Sequence, residues 1–362
     1  MMNNRENFRL TFDRQIRSLF REVLLRSWRN PGRFFWLLRL QAAQNRAAKK
    51  RRFWQGQSIP VPPILIASVT RRCNLRCTGC YSLAREDKEQ ELSFKRWQEI
   101  FTEAAELGVS IVLLAGGEPL IRPEFLEIPS RFPQLLFLVF TNGILLDPER
   151  LHTLRRQKNL IPIISLEGLA PDTDSRRGPG VFARIDTITR QMKRQGLFYG
   201  LSVTLTRDNF DAATGEAFTD SVTGGGCRLL FYIEYTPVQP GTENSVLDPS
   251  QRAELPARLN EQSGRYGITS VIFPGDEEMY GGCLAASRGF VHLSASGRLE
   301  PCPFAPFSDS SVARDSLRQA LQSRLLRTIR KNHHQLTESG GGCALWNHRE
   351  WVRSLETGAA PD

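Results

Sequence analysis

Ile64-Leu65-Ile66-Ala67-Ser68-Val69-Thr70-Arg71-Arg72-Cys73-Asn74-Leu75-Arg76-Cys77-Thr78-Gly79-Cys80 decides how the rest of the chain is read. Its first half is apolar and β-branched, the composition of a strand buried on both faces. The strand runs straight into a loop with cysteines in CX3CX2C spacing. Downstream, apolar runs recur at 111–115, 135–141, 161–166, 197–205 and 229–235. Helical periodicity fills 93–107, 147–157, 181–195 and 211–222, with a shorter piece near 123–129. Strands alternating with helices predict a parallel α/β sheet, most simply a curved, barrel-like one. Ligands in such folds gather at the C-terminal ends of the strands, where the cysteine loop lies.

The chain of 362 residues is 40% hydrophobic and 24% charged, globular values that exclude wholesale disorder and fibre. The richest apolar run near the N-terminus, 34–38, is fenced by Arg33 and Arg39, so no spanning helix is expected. The first residues lack a signal-peptide pattern, which predicts a cytoplasmic protein. In a reducing compartment, clustered cysteines point to metal or redox chemistry rather than a disulfide framework.

The net charge of +10 is unevenly placed: residues 1–55 hold 14 Lys and Arg against Glu6, Asp13 and Glu22. The body is therefore near neutral, and no nucleic-acid-binding face is expected on it. Residues 1–57 read as a basic helical arm, ended by the stiff Ser58-Ile59-Pro60-Val61-Pro62-Pro63. Leu19, Phe20, Leu24, Trp28, Phe34, Phe35 and Trp36 between arginines give the arm the composition of an interfacial helix. Membrane-surface contact is one reading, and packing on the barrel's outside or open side is the other. Residues 58–247 form the core, and 248–362 form a further unit with a helix at 249–264, Gly-punctuated short strands and a helix at 316–332.

Three thiolates on one short loop can wrap three corners of a cubane iron–sulfur cluster and leave the fourth iron open. A zinc knuckle completed from elsewhere is the alternative. With Gly116-Gly117-Glu118-Pro119 after the second strand, the loop resembles the radical S-adenosylmethionine (radical SAM) enzymes over about residues 62–236. The resemblance implies a partial (β/α)6 TIM-like barrel with a four-iron, four-sulfur cluster on Cys73, Cys77 and Cys80. The open iron would bind S-adenosylmethionine, whose reductive cleavage yields a 5′-deoxyadenosyl radical. An electron donor such as flavodoxin or ferredoxin is implied. Gly116 and Gly117 match the family's glycine pair, expected to admit the methionine amino group, and Glu118 its acidic position. Ser165 and Glu167, in Ile164-Ser165-Leu166-Glu167-Gly168, and Asn142, in Thr141-Asn142-Gly143, are further cofactor-binding candidates. One departure stands out: the family's usual aromatic before the third cysteine is Gly79 here, and Tyr81 is the candidate to take its place.

Cys283, Cys302 and Cys343, with Gly297 between the first two, resemble the SPASM/twitch domains that hold an auxiliary cluster, in their shorter twitch form. Three unrelated buried cysteines is the alternative; the spare Cys227 reads as a core residue. His292 on the expected hairpin and Glu277 before Cys283 are weak candidates for a proton acceptor. By resemblance the substrate is a peptide side chain, modestly preferred, or a small molecule of cofactor biosynthesis. A non-catalytic iron–sulfur electron-transfer protein is the reading from another class.

Overall fold

A computed structural model describes residues 31–85, 89–273, 282–336 and 343–357. The expected strands form as β1 (Ile64–Thr70), β2 (Ile111–Gly116), β3 (Leu136–Thr141), β4 (Leu160–Leu166), β5 (Gly200–Leu205) and β6 (Leu229–Glu234). Each pairs in parallel with its successor, which is a curved α/β sheet. Local chemistry sets the crossovers. Ser93 caps α2 (Phe94–Leu107) by accepting from Arg96 N, and Gly108, at φ 106°, ends it. Asp147 caps α3 (Pro148–Arg156), and α4 (Ala170–Arg177) and α5 (Val181–Arg194) follow β4.

The sheet extends beyond the six expected strands. After the next helix, α6 (Pro249–Tyr266), β7 (Thr269–Phe273) joins β6 in parallel. On the other side β8 (Phe290–Leu293) pairs in parallel with β1, and β9 (Leu299–Glu300) pairs antiparallel with β8. The order is β7-β6-β5-β4-β3-β2-β1-β8-β9. The hairpin expected within a separate unit thus continues the core sheet. The sheet stays open, with β7 and β9 at its edges, and Phe273 of β7 and Phe290 of β8 meet edge to face at 5.1 Å. The helix expected over 316–332 is two, Leu317–Ala320 and α7 (Arg324–Lys331), because Ser323 caps the second.

The arm reading needs correction where it can be tested. Leu19, Phe20, Leu24 and Trp28, and the side chains of Phe34 and Phe35, lie outside the described residues. From Pro31 to Gly56 the chain is one helix, α1, and it packs on the barrel. Leu40 is 2% exposed and packs with Ile111, Leu136, Leu138 and Ile163, and Trp36 packs against the same cluster. Gln44 Nε2 donates to Ser110 O at 3.3 Å, Lys50 Nζ to Ala105 O at 3.0 Å and Arg51 Nη1 to Gly108 O at 2.6 Å. Trp36 therefore faces protein rather than lipid. Among the described residues no helix is long and apolar enough to cross a membrane. Burying Leu37 and Leu40 contributes about 1.5–3 kcal/mol each. A chain beginning at Ser58 is accordingly expected to aggregate or melt well below the full chain, as read by size-exclusion chromatography and thermal unfolding. An unchanged melting temperature would return α1 to the role of a dispensable arm.

Candidate active site

The C-terminal ends of the strands open on a cavity of about 790 Å³. Cys73, Cys77 and Cys80 are half-buried and line it, as do Gly116, Gly117, Glu118, Asn142, Ser165 and Tyr81. Burial pushes the Cys73 and Cys77 thiols up, while Arg177 and Arg176 draw Cys77 back down.

The glycine pair is required by the fold itself. A Cβ on Gly116, at φ 125°, would lie 2.2 Å from Thr70 O, and one on Gly117 2.2 Å from Arg72 O. The missing side chains let β2 press against the start of the cysteine loop. Gly117 N then donates to Thr70 O and Glu118 N to Arg72 O, both at 2.8 Å. Glu118 is 1% exposed and accepts from Thr141 Oγ1 and Asn142 N at 2.7 Å each and from Leu120 N at 3.0 Å. Burial raises its carboxyl against those bonds. A carboxylate has about four acceptor sites, so one is left for a ligand. Asn142 Nδ2 donates to Asn74 Oδ1 at 2.8 Å and lies 3.9 Å from Cys73 Sγ, tying β3 to the loop.

Glu167 is placed otherwise than expected. It is buried, is not among the residues lining the cavity, and acts through others. Oε1 accepts from Arg176 Nη1 and Arg177 Nη2 at 2.5 Å each, and Oε2 from Thr204 N at 3.2 Å. The two arginines, not Glu167, line the cavity.

The missing aromatic before Cys80 is supplied from across the barrel. Gly79 adopts φ 67°, and a Cβ there would meet Tyr235 Oη at 2.3 Å, so the Tyr235 ring fills that place. Tyr235 and Thr236, just past β6, both line the cavity, and both hydroxyls are buried without a hydrogen-bond partner among the described residues. Buried hydroxyls left unpaired in a cavity wall call for a polar ligand. Tyr81 meets Phe304 edge to face at 5.3 Å. Burial raises its hydroxyl, and Cys80 and Cys302 both add to the effect.

Cys283, Cys302 and Cys343 are buried. Burial raises the Cys302 thiol, and a hydrogen bond with Cys343 and the nearby Cys283 raise it further. The trio is therefore brought together. Among the described residues no three His, Cys, Asp or Glu side chains converge to hold a single metal ion. A cubane asks for something else, since each thiolate binds a different iron at a separate corner. Cys227 lies in the core before β6, its Sγ 3.3 Å from Leu229 O and its thiol pushed up by burial to about 12.

His292 is not a substrate-facing group. It is fully buried on β8, with Nε2 2.8 Å from Ser68 Oγ and Nδ1 2.7 Å from Glu300 Oε2. Glu300 in turn pairs with Arg85. Burial lowers the His292 pKa, and the chain of contacts fastens β1 to the β8–β9 hairpin. Glu277 lies outside the described residues.

Residues 67–213 match the radical SAM superfamily. Over 159 residues the chain is 35% identical to a PqqA peptide cyclase of Ruegeria pomeroyi, and the match spans 42% of each chain. It is 25% identical over 320 residues to an AdoMet-dependent heme synthase of Methanosarcina barkeri, covering 80% of this chain and 89% of that one. Streptococcus suis SuiB bound to the precursor peptide SuiA has TM-score 0.65 at 16% identity, over 83% of this chain and 74% of SuiB. Native anSMEcpe with bound AdoMet has TM-score 0.61 at 14% identity, over 81% of this chain and 96% of that one. At such identities the two structures establish a shared fold.

Proposed function

This chain is a radical SAM enzyme, and on that premise we propose that it abstracts a hydrogen atom from a substrate at the C-terminal mouth of the barrel. The observation that carries the reading is the meeting of three half-buried thiols and two unpartnered hydroxyls on one cavity wall. A four-iron, four-sulfur cluster and S-adenosylmethionine bound there would supply the one-electron chemistry of hydrogen abstraction, with methionine and 5′-deoxyadenosine as the cofactor's products.

Cys73, Cys77 and Cys80 would hold three irons, and Asn142 and the Gly116–Gly117 backbone fix their loop. Glu118 keeps an acceptor free for the methionine ammonium, and Ser165 lines the same wall. Tyr235 offers its ring and hydroxyl to the adenosyl group. Cys283, Cys302 and Cys343 would hold a second cluster that takes up the electron left on the substrate. Tyr81 and Phe304, in ring contact, line the cavity beside the first set. A flavodoxin or ferredoxin would supply the first electron.

The relatives named as PqqA peptide cyclases support a peptide side chain as substrate. The cavity favours the second reading, a small molecule, because its wall below the cysteine loop is apolar: Ile66, Leu113, Leu138, Phe140, Phe231 and Ile233.

Reconstituted protein given dithionite and S-adenosylmethionine should release 5′-deoxyadenosine above a Cys73→Ala control. None above control would overturn the reading. Tyr235→Ala should weaken S-adenosylmethionine binding by about tenfold, from the lost ring contact and hydrogen bond, with iron content unchanged. Equilibrium dialysis reads this, and Tyr235→Phe should recover part of the loss.

A further inference from the structure

The barrel interior is unusual in which face of its strands is covered. Along β6, Leu230 and Tyr232 are buried and lie off the cavity, whereas Leu229, Phe231 and Ile233 line it and keep solvent access. Leu113, Phe140, Ile161, Val271 and Phe273 on other strands likewise line the cavity and are only partly buried. Barrel cores of this size are ordinarily filled by such side chains. Here they line a bore along the strands, which span about 20 Å for seven residues, and Trp36 and Leu37 of α1 complete its wall. Its volume of about 790 Å³ is that of a ligand site, and apolar walls open to water gain stability when something apolar covers them.

The far end differs in character from the bore. At the N-terminal ends of the strands the lining includes Arg155 after Leu154 of α3, Lys158 in the turn before β4 and Arg228 before β6, all exposed. The carboxylates that line the cavity, Glu118 and Glu234, lie at the ends of β2 and β6 beside the cysteine mouth. The bore is thus apolar along its length, with Arg155, Lys158 and Arg228 at the end away from the thiols, while Arg176 and Arg177 at the mouth are engaged by Glu167.

We propose that this bore holds a long hydrocarbon chain ending in an anionic group, with the anion at Arg155, Lys158 and Arg228 and the chain reaching the cysteine mouth. A carboxylate and a phosphate share the chemistry that this end recognises. No amino-acid side chain is long enough to fill the bore from the mouth. The inference rests on the proposed hydrogen abstraction only in making the distal part of that chain the substrate; the binding site stands on the lining alone.

The test uses the full-length reconstituted enzyme and displacement of the fluorescent fatty acid cis-parinaric acid. Oleate or dodecyl phosphate should displace it, oleyl alcohol should do so about tenfold less well, and inorganic phosphate not at all. Whichever anionic chain competes better identifies the head group. Lys158→Glu with Arg228→Glu, both at the surface, should erase the preference for the anionic chains over the alcohol. Leu113→Trp with Val271→Trp should fill the bore and remove binding while iron content is kept. No parinarate binding, or displacement by the alcohol equal to that by oleate, overturns the proposal. Release of 5′-deoxyadenosine is measured in parallel. Its absence with chain binding intact overturns the hydrogen-abstraction reading alone, and its presence without chain binding overturns the bore alone.

Discussion

Replacing Cys73, Cys77 and Cys80 together by alanine is expected to lower the iron content of reconstituted protein from about eight to about four per chain, and to abolish 5′-deoxyadenosine release. The expectation follows from two trios of thiols in different settings. The first is half-buried on the cavity wall, and the second is buried and off the cavity lining. Each trio supplies three thiolates, so each is assigned one cubane. Cys283→Ala with Cys302→Ala should conversely keep the first cluster and its cleavage activity. Iron and sulfide assay with electron paramagnetic resonance reads both. A triple variant with no iron together with a double variant that loses none would mean that the second trio holds no cluster. Loss of both clusters on removing either trio would show instead that the hairpin and the cysteine loop fold as one unit, as their link through Ser68, His292 and Glu300 makes physically reasonable.

The parts of the site that the sequence disclosed are those in which spacing itself is the chemistry. CX3CX2C places three thiols on a short loop whatever lies around it, and the alternation of apolar runs with helices imposes a parallel sheet. What stayed hidden depends on contacts between residues far apart in the chain. Tyr235 lies far beyond Gly79, yet its ring occupies the side-chain position that glycine leaves empty. A glycine at the usual aromatic position was the available signal, but it names no partner. Glu167 was legible as a strand-end acid, and Arg176 and Arg177, nine and ten residues later, gave no sign that they, rather than the acid, would line the cavity. The arm shows the limit of patterning most plainly. An apolar stripe between arginines has the same spacing whether it meets lipid or protein, and only the placement of Leu40 against Ile111 and Leu138 decides for α1. The β8–β9 hairpin was visible as Gly-punctuated strands, but strand pairing with β1 is set by an edge that sequence does not display.

Glu167→Ala is expected to destabilise the fold by about 3–5 kcal/mol, the cost of leaving buried charge without its partner. The Glu167 side chain is 1% exposed, and those of Arg177 and Arg176 are 9% and 17% exposed. One carboxylate bridges both guanidiniums and offsets half of their charge, since Oε1 takes a bond from each, and it also fastens β5 through Thr204 N. Removing it leaves two cations beside each other in a wall that cannot hydrate them fully. Glu167→Gln keeps the shape and the acceptor oxygen but not the charge, so it should cost less than alanine while still loosening both arginines. Arg176 also donates from Nε to Thr78 O at 3.1 Å, inside the cysteine loop, so the disturbance reaches Cys77 and Cys80. Denaturant unfolding of the two variants should therefore rank alanine below glutamine below wild type, with the cluster's electron paramagnetic resonance signal altered in the same order. Stability equal to wild type in Glu167→Ala would mean that solvent or the cavity's ligand already neutralises the arginines, and the carboxylate would then be dispensable to both fold and site.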